Sequence, residues 1–167
     1  MTVMELNQLP AVEQADCLTK CCGARAWVKK MLAHFPFADK PSLLTKAEQS
    51  WWQCAEADWL EAFTHHPRIG SRETMAEKFA STVHWTTEEQ KAAGQADETT
   101  IDALMTGNRE YEKKFGFIFI VCATGKTAAE MLSLLQLRMG NTPADEIKIA
   151  AAEQNKITLL RLEKLLA

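Results

Sequence analysis

Apolar positions recur along the chain at intervals of three and four, and glycine, proline or short polar residues interrupt them at regular joints. That is the pattern of successive amphipathic helices. The first predicted helix begins at Pro10, a favourable first-turn residue, and stops near Gly23, read as a C′ position. A second runs from about Arg25 to His34 and is stopped by Pro36. Ser42 caps a long third helix that passes through Trp51 and Trp52 to about Ala57. Asp58 with Glu61 opens a short fourth, which ends at the joint His65-His66-Pro67. Thr86 and Glu89 have capping-box spacing and open a fifth. A longer helix follows over about Glu98 to Lys114, with the stripe Ile101, Leu104, Met105, Asn108, Tyr111 and Phe115, and Gly116 closes it. Thr127 with Glu130 starts the next, Gly140 stops it, and Thr142-Pro143 begins a C-terminal helix reaching almost to Ala167.

Phe117-Ile118-Phe119-Ile120-Val121-Cys122 breaks the helical period. Its β-branched and aromatic residues suit a strand, yet nothing else in the chain offers a partner. An extended, irregular segment near 117–123 inside a helical fold is the expectation. The fold class predicted is all-α: one domain over 1–167, a bundle of about eight helices.

Composition narrows the function. A length of 167 residues suits one domain, and a net charge of -3 leaves no basic footprint for nucleic acid. No apolar run approaches the ~18 residues of a membrane span. The start MTVMELNQLP lacks the basic-then-apolar order of a signal peptide. Five cysteines, most in helix-like surroundings, fit a reducing cytoplasm better than a disulfide framework. A cytoplasmic protein is therefore expected.

Three local features carry chemistry. Arg161 falls inside the apolar stripe of the last helix, formed by Ile147, Ala150, Ala151, Ile157, Leu162 and Leu165. A guanidinium there must find an anionic or polar partner, and two readings are open: a structural ion pair at the stripe, or an anion-binding site. His66 precedes Pro67 in His65-His66-Pro67-Arg68-Ile69-Gly70, so it sits on extended backbone rather than in a helix. It is either a proton-transfer group or a helix-terminal histidine bonded to a carbonyl. Glu89 either closes the capping box of Thr86 or serves a site. Other motifs fail. Gly125-Lys126-Thr127 ends like a phosphate loop, but Ile120 stands where its first glycine belongs. Cys21, Cys22, His65 and His66 lack zinc-ligand spacing, and no nucleophile elbow is present.

Taken in order, the segments Cys21-Cys22-Gly23 with Trp27, His66-Pro67-Arg68-Ile69-Gly70, Thr86 with Glu89-Gln90, Asn108 through Ile120, and Lys156-Ile157 with Arg161-Leu162 resemble the OHCU decarboxylase family over nearly the whole chain. OHCU is 2-oxo-4-hydroxy-4-carboxy-5-ureidoimidazoline. The resemblance implies an all-α enzyme of urate breakdown, commonly a homodimer, that needs no cofactor or metal. It would convert OHCU, formed by hydrolysis of 5-hydroxyisourate, to (S)-allantoin and carbon dioxide. It assigns His66, not His65, as the catalytic acid, with Glu89 and Arg161 as its catalytic companions. Pro67, Thr86, Gln90, Phe119, Ile120, Val121, Cys122 and Ala123 become substrate contacts. Thr86 departs from the family serine but keeps the hydroxyl. Two rival readings are a hydrolase of a related ureido compound and a non-catalytic helical binding module.

Overall fold

Side chains that satisfy the free amides of a helix start place most of the elements. The computed structural model describes residues 1–66 and 87–167, and of 87–97 the backbone alone. Thr2 and Glu5 cap each other: Glu5 N donates to Thr2 Oγ1 at 3.2 Å and Thr2 N to Glu5 Oε2 at 2.6 Å. They open α1 (Val3–Gln8), a helix that the reading from Pro10 onward omits. α2 (Ala11–Cys21) follows Pro10, and α3 is Arg25–Leu32. α4 (Lys40–Trp52) begins at Asp39, whose Oδ1 accepts from Ser42 N at 2.7 Å. Ser42 is thus the inner member of the capping pair, not the cap.

α4 stops at Trp52, well short of Ala57, because the chain folds back on its own indoles. The Trp59 Nε1 hydrogen reaches the Trp51 carbonyl at 3.3 Å, and the Trp51 and Trp59 rings stand 6.1 Å apart. α5 (Glu56–Thr64) opens when Ala55 N donates to Asp58 Oδ2 at 2.9 Å. Glu61 plays no part in that start. It accepts from Arg25 N at 3.1 Å and Arg25 Nε at 2.5 Å, capping α3 from outside. Those bonds hold the Glu61 carboxyl below its ordinary range.

Where the spacing predicts two helices after Thr86, one runs unbroken, α6 (Thr87–Phe115). Gly94 lies in its interior; a glycine there weakens a helix by about 1 kcal/mol, and no proline enforces a break. α7 (Ala128–Arg138) starts at Thr127, which exchanges bonds with Glu130 as its spacing predicts. α8 (Pro143–Leu165) follows Thr142, whose Oγ1 accepts from Asp145 N at 3.2 Å. Between α6 and α7 the chain is irregular and extended, as expected, with Gly116 at φ 80 and Gly125 at φ 75 near its two ends. Both sit where a side chain would be strained. The described residues hold eight helices and no strand, so the fold is all-α.

The chain gathers into two units, Met1–His66 with Ala151–Ala167, and Pro67–Ala150, and α8 contributes to both. The first unit packs Leu6, Leu18, Trp27, Met31, Leu43, Trp51, Phe63 and Leu162. Its two deepest indoles also tie elements together: Trp27 Nε1 donates to the Ala47 carbonyl at 3.0 Å, and Trp51 Nε1 to that of Ala151 at 2.9 Å. The second unit sets α6 on α7, with Gly107 against Leu135: a Cβ there would lie 2.7 Å from a Leu135 methyl.

Trp51→Phe removes the indole bond to α8 and part of a ring that is 1% exposed. It should lower unfolding stability by about 2–3 kcal/mol, measured as a shifted urea midpoint with an unchanged slope.

Candidate active site

His66 comes off the last turn of α5. His65 N donates to the Ala62 carbonyl at 3.1 Å and His66 N to that of Phe63 at 3.3 Å, so both residues wind out of the helix on a tight turn. The His65 ring lies over Gly23, so close that a Cβ on residue 23 would come within 2.2 Å of His65 Cγ. Gly23 is needed for this approach, not for a left-handed C′ conformation. The positive-φ glycines of the described chain are Gly116 and Gly125, and α2 is closed by Cys22 in an extended conformation.

The His66 ring, half-buried, places Nε2 2.5 Å from Gln154 Oε1. Gln154 Nε2 donates in turn to Thr158 Oγ1 at 3.2 Å. Gln154 and Thr158 are each 1% exposed, and Thr158 also contacts the Cys22 thiol. Burial pushes the thiols of Cys21 and Cys22 up to about 11, so both are protonated and unreactive near neutral pH.

Arg161 stands seven residues past Gln154, on the same side of α8, at the half-buried edge of the stripe. Among the described residues its hydrogen-bond partner is the Cys21 carbonyl, at 3.2 Å, and not a carboxylate. One helix face therefore carries both the residue that holds His66 and the arginine singled out from sequence.

The buried arginine–carboxylate pair lies in the second unit. Arg138 is 6% exposed and Glu146 0%. Arg138 Nε donates to Glu146 Oε1 at 2.7 Å, and Nη2 lies 2.5 Å from the same oxygen. Asn141 Nδ2 donates to Glu146 Oε2 at 2.9 Å, and the Tyr111 hydroxyl donates to Oε1. Burial, then the Glu146 bond, drives the Tyr111 hydroxyl far above its ordinary range, so it remains a donor. The guanidinium stacks 4.5 Å from the Phe119 ring centre, and Nη1 donates to the Ile120 carbonyl at 2.7 Å. Lys126 Nζ takes the Cys122 carbonyl at 2.9 Å. Two cations thus grip the carbonyl side of the extended segment. Phe119, Ile120 and Cys122 are buried, while Val121 and Ala123 are half-buried.

Of the residues singled out from sequence, His66 and Arg161 lie in the first unit and Phe119 to Ala123 in the second. Pro67 and Thr86 fall outside the described residues, as do the side chains of Glu89 and Gln90. Sequence reasoning misses Gln154 and Arg138. Gln154 carries a signal, since it shares the stripe of Ala150, Ala151 and Arg161 and, like Arg161, is polar. Arg138 closes a helix, where a basic residue suits the dipole, so its position alone gives no sign of a buried pair. Among the described residues no group of three or more His, Cys, Asp or Glu is arranged to hold a metal, and no helix is long and apolar enough to cross a membrane.

The family model for OHCU decarboxylase matches residues 7–163. The chain is 39% identical over 145 residues to the uric acid degradation bifunctional protein TTL of Arabidopsis thaliana, covering 87% of this chain and 45% of that one. It therefore spans less than half of that relative. It is 26% identical over 168 residues to the 2-oxo-4-hydroxy-4-carboxy-5-ureidoimidazoline decarboxylase of Halalkalicoccus jeotgali, covering 99% and 92%. A crystal structure of OHCU decarboxylase in the presence of (S)-allantoin superposes with a TM-score of 0.72 at 38% identity, over 89% of this chain and 95% of that one.

Arg138→Met strands a buried carboxylate and should cost about 3–5 kcal/mol of unfolding stability. The double variant Arg138→Met, Glu146→Leu should recover part of that loss, because it removes the stranded charge. Urea melts of the two variants check both statements.

Proposed function

Because the chain belongs to the OHCU decarboxylase family, we propose that it converts OHCU to (S)-allantoin and carbon dioxide in urate breakdown, as a homodimer and without metal or organic cofactor. What supports the reading at the level of the site is the grip on His66, whose Nε2 is fixed by the buried amide of Gln154. His66 occupies the position of the family's histidine before proline, and a general acid must be aimed to act.

The chemistry asks little else of a protein. Loss of the carboxylate leaves an electron pair that the conjugated carbonyl and imine groups of the substrate can accept, so no cofactor sink is required. The protein has to orient the carboxylate, stabilise developing charge and deliver one proton to one face. In this reading His66 gives the proton. Arg161, with one guanidinium bond on the Cys21 carbonyl, steadies the electron-accepting ring or the ureido oxygen. Glu89 accepts from substrate N–H groups, beside Gln90, Pro67 and Thr86. The peptides of Phe119 to Ala123 contact substrate oxygens. Their conformation suits that task, since Arg138 and Lys126 already hold the carbonyls of Ile120 and Cys122.

The test is circular dichroism of freshly generated OHCU, which decays spontaneously to racemic allantoin. The chain should speed the signal change and leave optically active product. His66→Ala should slow turnover by about 10²–10⁴-fold, the usual contribution of positioned proton transfer. A spontaneous-rate decay to inactive product in the presence of the native chain would refute the reading.

A further inference from the structure

Gln154 is 1% exposed, and both ends of its amide are engaged: Oε1 at His66 Nε2, 2.5 Å away, and Nε2 at Thr158 Oγ1, 3.2 Å away. A primary amide has one acceptor and one donor end; here the donor end is on Thr158 Oγ1, and the acceptor end faces the histidine. An amide oxygen cannot donate. The hydrogen of this contact therefore belongs to His66 Nε2, whether the ring is neutral or charged. Proton exchange with a substrate is then the task of Nδ1. Thr158 lies one helical turn beyond Gln154 and is itself 1% exposed, so helix geometry and burial set the line Thr158–Gln154–His66 before any substrate arrives.

Resting on the decarboxylase reading above, we infer that Gln154 is the positioning residue of His66, holding the imidazole in its Nε2–H form and aiming Nδ1 as the nitrogen that gives up the proton. A carboxylate at this place would orient the ring as well. It would also favour the imidazolium and so oppose release of the proton. A neutral amide orients without that opposition, which suits a group that must act as an acid. Catalytic histidines are held in one tautomer by a partner at the second nitrogen in other enzymes too, and losing the right tautomer there depresses turnover while leaving the site assembled.

Two measurements on the full chain decide it. The first is the ¹⁵N chemical shift of the His66 ring, with Nε2–H as the expected neutral form. The second is kcat and KM for fresh OHCU in Gln154→Leu and Thr158→Val. Gln154→Leu should lower kcat on the order of 10–100-fold, a share of what proton transfer contributes, with KM unchanged. Gln154→Glu keeps an acceptor oxygen and should restore the Nε2–H signature. Should Gln154→Leu fail to fold, Thr158→Val and the native-chain shift still decide, since loss of the hydroxyl frees the amide to turn over. A native His66 carrying its hydrogen on Nδ1 overturns the inference, as does a Gln154→Leu chain with native kcat. A native chain that does not accelerate OHCU decay defeats the decarboxylase reading first, and the inference falls with it; native acceleration beside an unaltered Gln154→Leu rate defeats the inference alone.

Discussion

A guanidinium with 6% exposure is the constraint around which the second unit is organised. Left alone in a low-dielectric interior, the Arg138 charge would be far too costly to keep. The fold answers it on every side: a carboxylate from the first turn of α8, a tyrosine hydroxyl from α6, an aromatic face and one peptide carbonyl. That last bond has the widest reach. Hydrogen bonds to charged donors contribute about 1.5–3 kcal/mol, against about 1 for a neutral pair. With Arg138 on the Ile120 carbonyl, the segment needs no neighbouring strand to satisfy that group. A stretch whose composition reads as β is thus held extended in a protein without a described sheet.

The two arginines near α8 show how environment separates structure from chemistry. Arg138 spends its donors on groups of its own unit and lies over an aromatic ring. Arg161 stands at a half-buried edge, with a bond to a backbone carbonyl among the described residues. A carbonyl orients a guanidinium without neutralising it, whereas a carboxylate does both. At His66, too, the partner from α8 is a neutral group, the amide of Gln154. In both places a neutral dipole from the protein's own fabric aims a group that proton or charge chemistry would use.

Much of this is legible in the sequence because helices announce themselves locally. The pair Thr127–Glu130 behaves as its spacing says, Thr142-Pro143 opens the last helix, and the extended run after Gly116 stands out against the helical period. Sequence and structure part where a distant partner overrides a local signal. Spacing assigns Glu61 to the start of its own helix, yet it serves α3, and α4 ends early because Trp59 returns to Trp51. Two helices are predicted across Gly94, yet a single glycine is too weak to break a long one. At the site, Arg161 is visible as a charge on an apolar stripe. Gln154 occupies the same stripe but is uncharged, and burial of an amide leaves no comparable mark on composition. The Arg138 network is invisible for a different reason: its members are scattered from Tyr111 to Glu146 and meet only in space.

The close approach of His65 to Gly23 also limits the routes by which this sequence can drift. A side chain at position 23 meets the root of the histidine ring, not its movable tip. Position 65 can shrink while position 23 remains glycine, and position 23 can then grow. The opposite order passes through an intermediate in which the exposed ring must swing about χ1 to leave that place. Because residue 65 is bonded to residue 66, that intermediate would also disturb the histidine whose aim the rest of the turn maintains. One order of change is therefore the easier, and descendants that have lost the glycine should carry a smaller residue at 65 or a ring turned out of its present place.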